Sequence, residues 1–286
     1  MKKKNAPAHL KVDNDSRKKR LNALWWISGT VFVLAVAGLV LYFVMQWHDR
    51  QAYDDIAEVT PTPFVTPTAP PTPVNSPTPQ PATATPEPTP EPIDLPVDFD
   101  YLKSINEDIV GWVVVEGTDI DYAILYDENE YYLNHNYRGD YSYSGSIFMQ
   151  SLNSPDFTDF NSVLYGHNMG SGTMFAQLHR FEKESFFDEH DTIIIYKPSY
   201  KLTYRIFAAY RTDNRHILNN FSFDTKEARE AYIDHVFDHS YANYDLDVPV
   251  EESDRIITLS TCIGNPDYRY LVQGVLISEE YGVFNG

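Results

Sequence analysis

Three side chains in this sequence have types that suit one shared reaction. They are Cys262, the only cysteine, closing the run Thr258–Cys262 (TLSTC); His167, within Tyr165–Met169 (YGHNM); and Arg269, seven residues past the cysteine. A thiolate attacks a peptide carbonyl, and an ordinary thiol, mostly protonated at neutral pH, needs a basic or positive neighbour to do so. An imidazole holds the thiol–thiolate balance and then hands a proton to the departing amine. A guanidinium, always charged, donates hydrogen bonds to the oxyanion of the tetrahedral intermediate. Singly, each has a plainer reading: a buried apolar cysteine, a loop histidine among nine histidines, a surface arginine. Their common placement at strand ends is what joins them into a thiol acyl-transfer site.

Past Val97 the chain is dominated by short runs rich in Val, Ile, Tyr and Phe, punctuated by Gly, Asn, Asp and Pro. The runs are 109–115, 123–126, 146–149, 162–165, 192–196, 202–210, 255–261 and 271–279. Eight runs with few helices predict a mainly β domain closed, or nearly closed, into a barrel. His167 follows the fourth run, Cys262 ends the seventh, and Arg269 opens the eighth. Antiparallel pairing of the last two puts Cys262 and Arg269 at one barrel end, with His167 at the same mouth. Helices are expected at 99–107 and 225–239. In the second, Asp224 caps, Glu227 completes a capping box, and Ala228, Ala231, Tyr232, Val236 and Phe237 form an apolar stripe. That helix lies in the long connection 211–254, between the sixth and seventh runs, and is expected to bring Tyr232 to the substrate.

Ahead of the barrel the composition changes twice. Residues 1–23 hold eight Lys/Arg against two acids, whereas residues from 51 onward hold 13 Lys/Arg and 38 Asp/Glu, within a net charge of −19. The acidic body disfavours nucleic acid as a partner. Leu24–Met45 is a stretch of 22 residues without a charge, enough to cross a hydrocarbon core about 30 Å thick. Trp25, Trp26, Tyr42 and Trp47 sit at its two ends, and the basic flank holds the N-terminus in the cytoplasm. A cleaved signal peptide would have a shorter apolar region and a small-residue cleavage site, which Gln46–Arg50 does not offer. From Thr60 to Pro96 lie 14 of the 19 prolines, a composition that favours extended polyproline II over a packed core. The expected organisation is a basic tail (1–23), a transmembrane signal-anchor helix (24–46), a Pro/Thr-rich extracellular linker (47–97) and a catalytic domain (98–286) outside the cell.

The residues of this domain resemble the sortases, and specifically class B. The resemblance covers about Phe99 to Glu279 and rests on INEDIVGWVVVEGTDIDYAIL (105–125), YYLNHNYRGDYSYSGSIFM (131–149), YGHNMGSGTMFAQLHRF (165–181) and TLSTC with downstream Arg269. The TLxTC signature is highly specific, and the GHNM box followed by Met174-Phe175 is typical of class B. The resemblance implies an eight-stranded sortase β-barrel with an N-terminal helical segment and a helix between strands six and seven. It implies His167 as general acid/base, Cys262 as nucleophile and Arg269 as oxyanion or substrate stabiliser, with Leu259, Ser260 and Thr261 lining the groove. No cofactor is implied and no metal, the family's calcium site belonging chiefly to class A. Two departures stand out. Class B members usually carry a proline where this chain has Ala123, and the interval 263–268 between Cys262 and Arg269 is short.

By resemblance, such an enzyme cleaves a C-terminal sorting motif of a secreted protein, of an Asn-Pro-Xaa-Thr kind in class B. A thioester on Cys262 then passes the acyl group to an amine of a peptidoglycan precursor or a pilin subunit. A stalked adhesion module of the same fold is the competing class, and the presence of His167, Cys262 and Arg269 together argues against it. A papain-like protease would have its cysteine ahead of its histidine, the reverse of the order here.

Overall fold

The computed structural model describes residues 14–59, 91–239 and 241–285. The chain divides into two compact units, 1–52 and 53–286. The first is built on α1 (Asn14–Val59), within which Lys18–Val44 is long and apolar enough to cross a membrane. Trp25 and Trp26 near one end of that stretch and Tyr42 near the other are exposed. The helix differs from the expected 24–46 at both ends. Its basic N-terminal turns and the segment Gln46–Val59 contain no proline, and the first helix-breaking residue is Pro61. The expected linker keeps its proline-rich part at 60–90, which lies outside the described residues.

Within the second unit the first strand, β1 (Ile93–Asp94), lies ahead of the domain start expected at 98. Ile93 pairs with Gly282, Leu95 N–H donates to the carbonyl of Val283 at 2.8 Å, and Leu95 and Val97 are buried. This apolar alternation, masked in the sequence by the neighbouring prolines, makes 93–97 part of the barrel wall rather than its tether. There follow α2 (Phe99–Ile105), capped by the Asp98 carboxylate on Tyr101 N–H, then β2 (Ile109–Val115), β3 (Asp121–Asp127), β4 (Ile147–Gln150) and β5 (Asn161–Tyr165). After them come α3 (Glu184–Glu189), β6 (Thr192–Lys197), β7 (Tyr200–Asp213), α4 (Ile217–Asn220), α5 (Lys226–Val236), β8 (Ala242–Tyr244), β9 (Ile256–Cys262) and β10 (Tyr268–Val283). Two 3₁₀ segments, Tyr131–Leu133 and Phe175–Glu182, complete the set.

Eight strands close on themselves in the order β10-β9-β5-β4-β3-β2-β6-β7, with β7 pairing back onto β10. Each of the eight runs expected from sequence is one of these strands. β7 and β10 exceed the expected lengths because they pair with each other from Tyr200↔Tyr281 to Asp213↔Tyr268. Along that ladder, exposed Arg205 and half-buried Lys201 sit in strand despite their charge. β2 is buried on both faces, which explains why its run is continuously apolar rather than alternating.

The helix α5 is capped by Thr225, whose hydroxyl accepts from Ala228 N–H at 3.2 Å. The expected cap Asp224 instead accepts from the Ser222 hydroxyl, one residue too early to reach the first turn. Tyr232 is not at a substrate surface. It is 2 % exposed, with the aromatic rings of Phe221 and Phe223 edge-on to it. Its phenolic oxygen accepts from Asn161 Nδ2 (3.0 Å) and Gln273 Nε2 (2.7 Å). Thr258 Oγ1 donates to Asn161 Oδ1 at 2.7 Å, and Tyr210 O–H to Gln273 Oε1 at 3.3 Å. One buried polar network therefore joins β5, β7, β9, β10 and α5, and burial pushes the Tyr232 phenol up. Replacing Tyr232 by Phe orphans the Asn161 amide, so denaturant unfolding should show a loss of about 1–3 kcal/mol. The alkylation rate of Cys262 should stay at the wild-type value.

Candidate active site

β9 lies between β5 and β10, and both registers bear on Cys262. In the parallel β5–β9 pair, Asn161 faces Ile256 and Tyr165 faces Ser260, a constant offset of 95 positions. The same offset separates His167 from Cys262. Two bonds carry the alignment past the end of β5: Gly166 N–H donates to the Ser260 carbonyl (3.2 Å) and Thr261 Oγ1 to the Gly166 carbonyl (2.8 Å). On the other side, the antiparallel β9–β10 pair sets Arg269 directly opposite Cys262. Three neighbouring backbones thus present His167, Cys262 and Arg269 abreast at one barrel end.

Residue 166 is glycine because nothing larger fits. A Cβ there would lie 2.5 Å from Ile147 Cδ1 and 2.8 Å from the Phe175 ring. The short link between β9 and β10 turns through Gly264 at φ +80°. Asn214 pins it, donating from N–H to the Asp267 carbonyl (3.0 Å) and from Nδ2 to the Pro266 carbonyl (3.1 Å). The brevity noted in the sequence is what brings Arg269 into register with the cysteine.

Cys262 is partly exposed. The His167 ring is steered by Leu133, whose carbonyl lies 2.8 Å from Nε2. A carbonyl only accepts, so Nε2 carries the hydrogen and the neutral ring offers Nδ1 for proton exchange. Arg269 donates from Nη1 to the carbonyls of Pro266 (3.0 Å) and Tyr268 (2.9 Å), which fixes the guanidinium at the rim. The Cys262 carbonyl is held from behind by Asn168 Nδ2 (2.9 Å) and His179 Nε2 (2.9 Å).

These three residues share a cleft of about 320 Å³ with Ser260, Thr261, Leu133, Glu130 and His216. Ser260 and Thr261 are therefore at the groove, although the Thr261 hydroxyl is spent on Gly166. Leu259 is not: its side chain is wholly buried and absent from the cleft wall. His216 Nε2 contacts Gln150 Oε1, and Gln150 Nε2 donates to Glu130 Oε1 at 2.9 Å. Burial holds the His216 imidazole below its ordinary range and pushes the adjacent Tyr165 phenol up. A wider opening of about 840 Å³ lies near Phe160, Phe221 and Arg229 and contains none of the three candidate residues, so volume alone does not locate the chemistry. Leu133, Asn168 and His179 are not marked in the sequence because all three contacts run to or from backbone carbonyls, which leave no residue-type signature.

The sequence profile of the family described as Sortase domain matches residues 113–277. Sortase B of Listeria monocytogenes is 37% identical over 182 residues, 62% of this chain and 73% of that protein. Sortase B of Staphylococcus aureus is 35% identical over 165 residues, 57% of this chain and 67% of that protein. Among solved structures, Clostridium perfringens sortase B superposes with a TM-score of 0.59 at 34% identity, covering 63% of this chain and 100% of that one. A Staphylococcus aureus sortase B–substrate complex gives 0.58 at 33% identity, covering 63% and 84%.

The glycine before His167 gives a direct check on how tightly this rim is packed. Gly166→Ala should cost about 1–3 kcal/mol in denaturant unfolding, whereas Gly170→Ala, where an added Cβ meets nothing within 4 Å, should stay within about 0.5 kcal/mol.

Proposed function

Because this chain belongs to the sortase family, as a class B cysteine transpeptidase, we propose that Cys262 is the nucleophile that cleaves the C-terminal sorting motif of a secreted protein. The observation that carries this reading is the alignment of His167, two residues past the end of β5, with Cys262 and Arg269 on the adjacent strands β9 and β10. The Cys262 thiolate attacks the scissile carbonyl, and His167, exchanging its proton at Nδ1, protonates the departing amine. Arg269 receives the oxyanion. Its two Nη1 hydrogens are engaged with backbone carbonyls, and the guanidinium has three further N–H donors for the developing charge. The product is a thioester on Cys262, which an amine of a peptidoglycan precursor or a pilin subunit resolves. Ser260 and Thr261 form the groove floor on which the peptide lies.

The membrane helix supports the setting. With the basic tail in the cytoplasm, Lys18–Val44 crosses the bilayer and the barrel stands outside. Enzyme, secreted substrate and wall precursor then share one surface, which raises their effective concentrations.

The test uses the full chain in detergent with a panel of Asn-Pro-Xaa-Thr-type peptides, followed by intact-mass spectrometry. Wild type should yield a hydroxylamine-sensitive acyl adduct on Cys262, and Cys262→Ala none. His167→Ala should lose about 10²–10⁴ of the rate and Arg269→Ala about 10²–10³. Cleavage that survives in Cys262→Ala would refute the assignment.

A further inference from the structure

A second imidazole touches the nucleophile's backbone. His179, in the 3₁₀ segment Phe175–Glu182, approaches the Cys262 carbonyl with Nε2 at 2.9 Å while its Nδ1 lies 2.6 Å from Glu182 Oε1. Carbonyl and carboxylate both only accept, so both contacts are hydrogen bonds at once in the ring that carries a hydrogen on each nitrogen. The ring lies flat against Tyr270, with centroids 5.0 Å apart and planes 28° apart, which removes its freedom to turn. Asn168, the residue after His167, donates to the same carbonyl at 2.9 Å. A single oxygen thus ties the backbone of Cys262 to the backbone segment that carries His167 and to a ring clamped by Glu182 and Tyr270.

We propose that His179 is a positioning residue for the nucleophile: oriented by Glu182, it fixes the Cys262 carbonyl and so holds the thiol toward His167. Cys262 is the last residue of β9, followed by a turn, and the ladder alone leaves its peptide plane to swing. Asn168 supplies one restraint and His179 the second, from an element outside the barrel wall. Loss of the second lets the carbonyl rotate, the sulfur drift from the imidazole, and the share of thiolate fall. The inference rests on the reading of Cys262 as the nucleophile.

A scaffold role and a positioning role move thiol reactivity in opposite directions. If His179 only braced the fold, its removal would loosen the rim and expose the sulfur, speeding alkylation. If it positions the thiol, removal slows alkylation. The measurement is the rate of iodoacetamide labelling of the only cysteine in the full chain in detergent, at pH near 7, with peptide cleavage followed in parallel. His179→Leu should slow labelling about threefold or more and lower kcat about tenfold or more, with KM within about twofold of wild type. His179→Gln, whose amide donates from the place of Nε2, should recover most of both losses. Glu182→Ala, at a side chain 57% exposed and so without threat to folding, should move both rates the same way by a smaller factor. Labelling that accelerates or is unchanged in His179→Leu and Glu182→Ala overturns the proposal, as does a Gln variant as slow as the Leu variant. Labelling needs no peptide, so a wild-type chain that cleaves nothing yet shows these shifts would sink the transpeptidase reading and leave the positioning role standing.

Discussion

A strand pair can be joined in many registers, and a slip of one residue turns every side chain to the other face. In this barrel the consequential register is that of β5 on β9. Its offset of 95 positions places the histidine after one strand beside the cysteine ending the other, although nearly a hundred residues separate them in the chain. Two features hold the offset at opposite ends. Far from the rim, Asn161 and Thr258 bond within the buried network centred on Tyr232 and Gln273. At the rim, Thr261 donates to the Gly166 carbonyl and Asn168 to that of Cys262. A slipped register would bury unpaired amides at one end and break both rim bonds at the other.

The chemistry is layered on that frame. The ladder sets where the three backbones lie, but each functional side chain is aimed by something outside it. Leu133 aims His167 through a carbonyl, Pro266 and Tyr268 aim Arg269, and His179 with Asn168 restrains Cys262. Of these partners only Tyr268, the first residue of β10, sits in the strand that it serves. Packing constrains the rim equally: Gly166 is pressed between Ile147 and Phe175, so the segment carrying His167 has no room to relax.

Much of this was legible in the sequence. The eight β runs, the two helices, and the position of Cys262, His167 and Arg269 at strand ends all follow from apolar patterning and punctuation. What patterning could not carry was direction. Tyr232 belongs to an apolar stripe and also bears a hydroxyl, and the sequence cannot say that this hydroxyl joins a buried network of four polar side chains from four strands instead of facing solvent. Leu259 sits within the signature that marks the site yet is wholly buried and off the cleft wall, and a residue-type signature does not record which of its side chains are accessible. The N-terminal helix extends beyond its apolar stretch at both ends, since hydropathy marks what suits lipid and not where helical backbone stops.

The claim on which the mechanism stands is the alignment of His167 with Cys262 across the parallel pair. Neighbouring strands lie about 4.7–4.9 Å apart, inside the Cα separation of about 4.4–6.8 Å that a disulfide spans. Mild oxidation of His167→Cys in the full chain, which would then hold two thiols, measures that alignment directly. The account predicts rapid intramolecular closure, seen as a monomer lighter by two hydrogens with no thiol left to label. Two free thiols, or bridges formed only between chains, would contradict it.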